Sequence, residues 1–276
     1  MPILYFWLSK NLEVLAIHSS IKRGKFDLFD SLVSSGLTFK NDDIIVISSK
    51  FVSMSEGALL KLGNIKVSKK AQILATKFHM DPKIAEITIR ESDHILGGLP
   101  GFLLSIRGGM IAPNAGIDKS NVPSGFIILY PNDAFKTADN LRLKFLMHRK
   151  VRVGIVIADS RLMPTRIGTV GVAIGCSGFE PVEDERGKKD LFGNVLRVTL
   201  RAIADGLATT GVLMMGEGSE SIPAVLIRGF KVTPTDRRLS KDDMTIGPDQ
   251  DIYIRGLRQG PKSRKDDLIN CGSFLI

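Results

Sequence analysis

Cysteine is almost absent from this sequence. Two residues, Cys176 and Cys271, cannot build a disulfide scaffold or a CxxC zinc site, and such scarcity fits a reducing compartment. Long apolar runs are missing too: none reaches the roughly 18 to 20 residues that a membrane-spanning helix needs. The apolar start MPILYFWLSKNLEVLAI is interrupted by Lys10 and Glu13 and lacks a basic leader and a small-residue cleavage site. A soluble, cytoplasmic protein with no membrane partner is therefore expected. Aromatic residues make up only 7% of the chain, and no basic stripe interleaves with them. The net charge of +9 suits an anionic partner, but without such a stripe it argues poorly for nucleic acid. The four histidines, His18, His79, His94 and His148, show no HExxH or paired-ligand spacing. There is no GxxxxGK[ST] loop and no GxGxxG after a strand, so any nucleotide site must be of another kind.

The 276 residues that are present are 43% hydrophobic and 24% charged, a balance able to bury a sizeable core in one large or two medium domains. LEVLAI reads as a strand leading into the loop HSSIKRG, and FDLFDSLVSSG has helical spacing up to Gly36. DDIIVISSK reads as a second strand. SKKAQILATKFHM and DPKIAEITIRES read as helices, the latter with Pro82 in its first turn. Two short apolar runs flank Gly108 and Gly109, a hairpin signal. GFIILYP, VRVGIVIADS, TVGVAIGCSGF and IPAVLIRGF read as strands, the glycines of the third marking close backbone approach or bulges. AFKTADNLRLKFLMHRK reads as a basic amphipathic helix, EPVEDERGKKDLFGN as a charged loop, and VLRVTLRAIADGLATTGVLMMG as a long helix interrupted at Gly206 or Gly211. The expected division is a domain over residues 1–230, open to splitting into two subdomains, and a polar C-terminal extension over 231–276. Strands and helices mix without a strict βαβ rhythm, which points to an α+β fold.

The stretch IVIADSRLMPTRIG, from Ile155 to Gly168, carries the first chemical signal. Four apolar residues stop at Asp159 and Ser160, and a loop with Arg161, Pro164 and Arg166 follows. A carboxylate at a strand end is a natural metal ligand, and guanidinium groups suit phosphate. Equally, Asp159 caps the next turn and the arginines are solvated. Acids recur at strand or loop ends at Asp118 in NAGIDKSN and at Glu217 in MGEGSE. Mg²⁺ and Mn²⁺ take carboxylate, hydroxyl and phosphate oxygens, and the glycines of MGEGSESIP let backbone N–H groups approach a phosphate. Other readings stay open: Asn121 caps the turn after Asp118, MGEG is a helix C-terminus, and Lys50 is a solvated lysine.

NAGIDKSNV, VGVAIG, RGKKDLFG and MGEGSESIPAVLIRG, in this order and at these separations, resemble the coenzyme F420-0:γ-glutamyl ligase family over roughly Ile17 to Gly229. The resemblance implies an α+β fold of mixed sheets and helices in an intertwined homodimer. It implies a GTP-dependent ligase with a divalent metal, Mn²⁺ or Mg²⁺, and with GTP as co-substrate. The reaction implied couples L-glutamate through a γ-linkage to the carboxylate of F420-0, by way of an acyl phosphate. Carried over residue by residue, Asp118, Asp159 and Glu217 become metal ligands, and Ser160 stands where the family has threonine. Nucleotide contacts fall on His18, Ser19, Ser20, Ile21, Ser49, Lys50 and Asn121, and on the segment Met215, Gly216, Glu217, Gly218, Ser219, Glu220, Ser221 and Ile222. Arg161, Arg166 and Arg186 are candidates to hold anionic substrate or the transferring phosphoryl group.

Two departures bear on this reading. Met54 occupies a nucleotide position where the family has lysine, and a thioether cannot pair with phosphate. Lys50, four positions earlier, replaces it only if the strand continues far enough to keep both on one face. The loop DSRLMPTR also replaces the family's DTNGRxFR, a proline loop for a Gly-Arg turn. The acceptor thus stays open between F420-0 and another anionic carboxylate, the latter taken by a paralogous ligase. A nucleotide- or metal-binding protein without turnover is the third reading. The retained acids count against it, because unpaired buried charge is costly.

Overall fold

A computed structural model describes residues 12–22 and 24–259. Cys271 and most of the apolar start lie outside the described residues. From the N-terminal side, β1 (Glu13–Ile17), α1 (Leu28–Val33) and β2 (Ile44–Ser48) run directly into α2 (Ser49–Glu56). β3 (Leu59–Lys61) precedes α3 (Lys69–Lys77) and α4 (Pro82–Glu91). Then come β4 (His94–Leu99), β5 (Phe102–Arg107), β6 (Met110–Pro113) and β7 (Phe126–Ile128). α5 (Ala134–Arg149) leads to β8 (Gly154–Leu162) and β9 (Thr169–Ser177). β10 (Val182–Asp184) and β11 (Leu200–Ala202) pair with each other before α6 (Ile203–Met215) and β12 (Ala224–Arg228).

The central sheet has the order β1-β12-β2-β8-β9. β2 and β8 are parallel; the other three pairings are antiparallel. Helices cover both faces, which is why β2 and β8 read as unbroken apolar runs rather than alternating ones. Ile45 and Ile47 face Leu32 of α1 and Leu141 and Phe145 of α5, while Ile44 and Val46 face Leu207 and Ala208 of α6. The expected glycine behaviour occurs on β9 in both forms. A Cβ on Gly171 would lie 2.4 Å from the Ala208 carbonyl oxygen, so α6 rests directly on that strand. One residue further on than Ala173, Ile174 is the extra residue of a bulge, since Ile157 pairs with Gly175 and Ala158 with Ala173.

A smaller lobe carries β4-β5-β6 as an antiparallel sheet backed by α3 and α4. The hairpin between β5 and β6 turns on Gly108 and Gly109, whose φ values of 57° and 81° suit a primed turn. Leu103 and Ala112 face inward, whereas Phe102, Leu104 and Ile111 are exposed.

Four expectations are corrected. SSK does not prolong a strand: α2 begins at Ser49, buries Phe51 and Val52, and ends on Gly57 at φ 79°. Eight residues rich in serine carry little helical signal, and packing against the sheet decides their state. β8 does not stop at Asp159 but runs through Leu162, paired with β9 as far as Thr169, so Asp159 is no turn cap. VLRVTLRA is not helical; Leu200–Ala202 pairs with Val182–Asp184, as its β-branched neighbours favour, and α6 then runs unbroken past Gly206 and Gly211. Finally, the compact unit reaches Met244 rather than closing at 230. Val232, Leu239 and Met244 pack into the core on the α6 side, and Arg237 pairs with Glu180 and Asp243. The remaining unit begins at Thr245 and contains α7 (Ile252–Gln259). Among the described residues no helix is long and apolar enough to cross a membrane.

Candidate active site

The sheet topology gathers four chain segments at one edge. β2 and β8 are parallel, so Ser48 and Asp159 emerge on the same side. β12 is antiparallel to β2, which brings Ile222 and Pro223 to that edge. β1 is antiparallel to β12 and delivers Ser19 and Ser20 there as well. The backbone closes the seam: Ser48 N–H donates to the Pro223 carbonyl at 2.9 Å and Ser19 N–H to the Ser221 carbonyl at 3.1 Å. The result is a cleft of about 1010 Å³. It is lined by Ser19, Ser20, Ile21, Ser49, Lys50, Met54, Asp118, Asn121, Asp159, Ser160 and the whole segment 215–222. His18 lies just outside this lining, exposed at the end of β1.

α2 opens at the cleft. No side chain caps its N-terminus among the described residues, so its first-turn N–H groups lie at the cleft wall beside Ser48, Ser49 and Lys50. Lys50 and Met54 do share a face, but through the helical i, i+4 relation and not through a strand. Lys50 Nζ donates to Ser120 Oγ at 2.6 Å and pairs with Asp118 Oδ2 at 2.8 Å, so it is not a solvated lysine. Burial alone would raise the Asp118 carboxyl, but Lys50 and the Ser120 N–H outweigh it and hold the group below its ordinary range. Asn121, at φ 55°, donates to the Gly218 carbonyl at 3.0 Å and ties the 118–123 loop to the glycine segment. α6 ends as that segment begins, with Gly216 as its C-terminal cap.

Asp159 is held on three sides. Ser49 Oγ donates to Oδ1 at 2.9 Å, while the Tyr130 hydroxyl and Arg161 Nε, the latter at 3.2 Å, donate to Oδ2. The next residue along β8 also lines the cleft, and Ser160 Oγ donates to Glu217 Oε1. Thr169 Oγ1 reaches the same Glu217 oxygen at 3.1 Å. Burial, reinforced by the charge of Asp159, pushes the Tyr130 phenol far above its ordinary range, so it is a permanent donor.

The arginines fall elsewhere. Arg161 is 9% exposed, has all three nitrogens bound to Tyr130, Asp159 and the Ile111 carbonyl, and lies outside the cleft lining. The sequence placed it on a loop as a candidate to hold anionic substrate, because the strand was expected to end too early. Arg166 sits on the exposed 163–168 loop, outside the cleft lining, and Arg186 is closed on Asp184 in the β10–β11 connection. Lys22 and Thr169, which also line the cleft, and Tyr130 behind Asp159 carry no role in the sequence reading. A hydroxyl at the tip of GFIILYP was the one available signal for Tyr130.

The donor set of this cleft is carboxylate and hydroxyl oxygen, which fits a hard divalent cation in kind. Among the described residues, however, no three His, Cys, Asp or Glu side chains converge as a ready-made metal-binding group. Asp118 leans on Lys50, Glu217 accepts from Ser160, and Asp159 accepts from Ser49, all within the lining of one cleft.

Comparison with known proteins agrees over most of the chain. The sequence profile described as F420-0:Gamma-glutamyl ligase matches residues 21–229. A coenzyme F420:L-glutamate ligase of Methanopyrus kandleri is 37% identical over 221 residues, 80% of this chain and 87% of the relative. The protein of the same description from Archaeoglobus fulgidus is 34% identical over 239 residues, covering 87% and 94% of the two chains. That of Methanocaldococcus jannaschii is 36% identical over 224 residues, covering 81% and 90%.

Proposed function

The chain belongs to the F420-0:gamma-glutamyl ligase family, and on that premise we propose that it joins L-glutamate to coenzyme F420-0, using GTP as co-substrate with Mn²⁺ or Mg²⁺ and working as a homodimer. The observation that carries the nucleotide reading is the single cleft in which the start of α2, Lys50 and the glycine segment 216–218 all meet carboxylate and hydroxyl oxygens. Uncapped N–H groups and a lysine suit phosphate oxygens, and glycines let the backbone come close. The apolar side of the cleft, with Phe51, Met54, Val122 and Met215, suits a base and ribose rather than charge. Asp159, Ser160 and Glu217 would hold a divalent ion, with Asp118 closer to Lys50. Such an ion, when bound, offsets charge on the phosphates.

Amide formation from a carboxylate is uphill in water, and nucleotide cleavage drives it. An acceptor carboxylate oxygen bonds to the γ-phosphorus as the bond to GDP breaks. The glutamate amine then bonds to the acyl carbon, inorganic phosphate leaves with its electron pair, and the amine loses a proton. The protein's share is to bind and align the partners and exclude water, which asks for no nucleophilic side chain. A second reading, another acceptor carboxylate, is favoured by the exposed proline loop 163–168, which gives Arg166 to solvent rather than to the cleft.

The test is a ligation assay. The full chain with GTP, Mn²⁺, L-glutamate and F420-0 should yield a product heavier by one or more glutamate residues, and none when metal is omitted. Glu217→Gln is exposed and keeps acceptors for Ser160 and Thr169, so it should fold normally yet lose about 100-fold in turnover. No product from folded wild-type protein overturns F420-0 as acceptor; continuing GTP hydrolysis in that mixture assigns the chain to another carboxylate.

A further inference from the structure

We propose that Tyr130 and Arg161 form a positioning clamp that makes Asp159 a single-oxygen ligand, engaging Oδ2 from behind and leaving only Oδ1 to the cleft. The proposal rests on the metal reading of Asp159 above.

The geometry divides the carboxylate cleanly. Oδ1 shares a hydrogen bond with Ser49, which lines the cleft. Oδ2 accepts from the Tyr130 hydroxyl and from Arg161 Nε, and neither of those residues lines it. Arg161 also donates through Nη2 to the Tyr130 oxygen at 2.7 Å and through Nη1 to the Ile111 carbonyl at 2.9 Å. The guanidinium thus spans β8, β6 and the segment after β7, with all three of its nitrogens engaged by the protein. The Tyr130 ring is itself immobilised: it is 6% exposed, and a Cβ on Gly116, at φ 74°, would lie 2.3 Å from its Cζ.

Three consequences follow from this arrangement. The carboxylate cannot rotate to chelate through both oxygens. Its charge is paired at one end with the Arg161 guanidinium, at 3.2 Å, which fixes that oxygen in place. The clamp also needs a planar fork: lysine at 161 would supply one point of charge but could not serve Tyr130, Asp159 and Ile111 together.

The test measures Mn²⁺ binding, separate from turnover. Wild type, Tyr130→Phe and Arg161→Lys are titrated with Mn²⁺ in the presence of GTP, with free Mn²⁺ read by electron paramagnetic resonance well below the melting temperature of each. Partners that orient a ligand commonly contribute 10- to 100-fold in metal affinity, and Tyr130→Phe should lose about that much. GTP affinity without metal should stay at the wild-type value in both variants, since neither residue touches the nucleotide site. A residue with only a packing role would lower the melting temperature and leave Mn²⁺ affinity unmoved. Should Tyr130→Phe not fold, Arg161→Lys carries the same comparison. Wild-type Mn²⁺ affinity in the folded variants overturns the clamp and leaves the metal reading standing. Failure of the wild type itself to bind Mn²⁺ with GTP overturns both.

Discussion

Single residues in this protein owe their roles to partners that lie far away in sequence. Asp205 illustrates this. It sits in the first turn of α6, where its Oδ1 accepts from the Ala173 N–H at 2.9 Å on β9. Burial raises its carboxyl above the ordinary 3.8, opposed in part by that N–H and by the charge of Arg161. A carboxyl raised in the folded state holds its proton more tightly there than in the unfolded chain. The contribution of Asp205 to stability is then most favourable in acid and declines as pH rises from about 3.8 through the folded value, levelling beyond it. Asp205→Asn keeps the acceptor and removes the charge. The variant should melt at a higher temperature than wild type at pH 7, and the gap should close as pH approaches 3.8. Thermal melts across that range decide it, and a gap of equal size at both ends means that ionisation of Asp205 is not the cause.

Elements are where sequence pattern and packing compete. α6 carries two glycines with opposite surroundings. Nothing lies within 4 Å of a Cβ on Gly206, while one on Gly211 would come within 2.5 Å of Val46 on the sheet. Gly206→Ala should therefore stabilise by about 0.5–1 kcal/mol, the ordinary helix-interior difference. Gly211→Ala should destabilise by about 1–3 kcal/mol, because the helix must lift off β2. Denaturant midpoints of the two variants should move in opposite directions; a shift of both the same way refutes the packing assignment. The helical period of α6 was legible from its apolar residues, but not which glycine touches the sheet. β8 shows the converse. Its apolar run ends at Ala158, yet pairing with β9 carries the strand four residues further, since Leu162 has Thr169 to bond with. That extension turns Arg161 inward and Arg166 out.

At the scale of the whole molecule, the outer face of the three-stranded sheet leaves Leu99, Phe102, Leu104 and Ile111 exposed together. Apolar clusters of this kind mark contacts between chains. The proposed homodimer should give a light-scattering mass of twice 30.2 kDa at micromolar concentration. Leu104→Glu should shift it toward the monomer if this face takes part. A monomeric wild type under these conditions sinks the dimer.

Composition and apolar periodicity were enough to point to an α+β chain and most of its elements, and the resemblance carried by four ordered motifs supplied its family and most of the residues that line one cleft. These are local properties: a buried strand needs an apolar run, a tight turn needs glycine at positive φ, and a phosphate-facing loop needs small residues. Tertiary structure alone decided the rest. α2 became a helix because the sheet offered a surface for Phe51 and Val52. Residues up to Met244 joined the compact unit because Leu239 and Met244 found a core to enter. Arg161 became a buried partner of Asp159 because Tyr130 and the Ile111 carbonyl, distant in sequence, stood where its fork would reach. Strand pairing and the burial of a charge depend on what lies opposite, and no stretch of sequence contains its own opposite face.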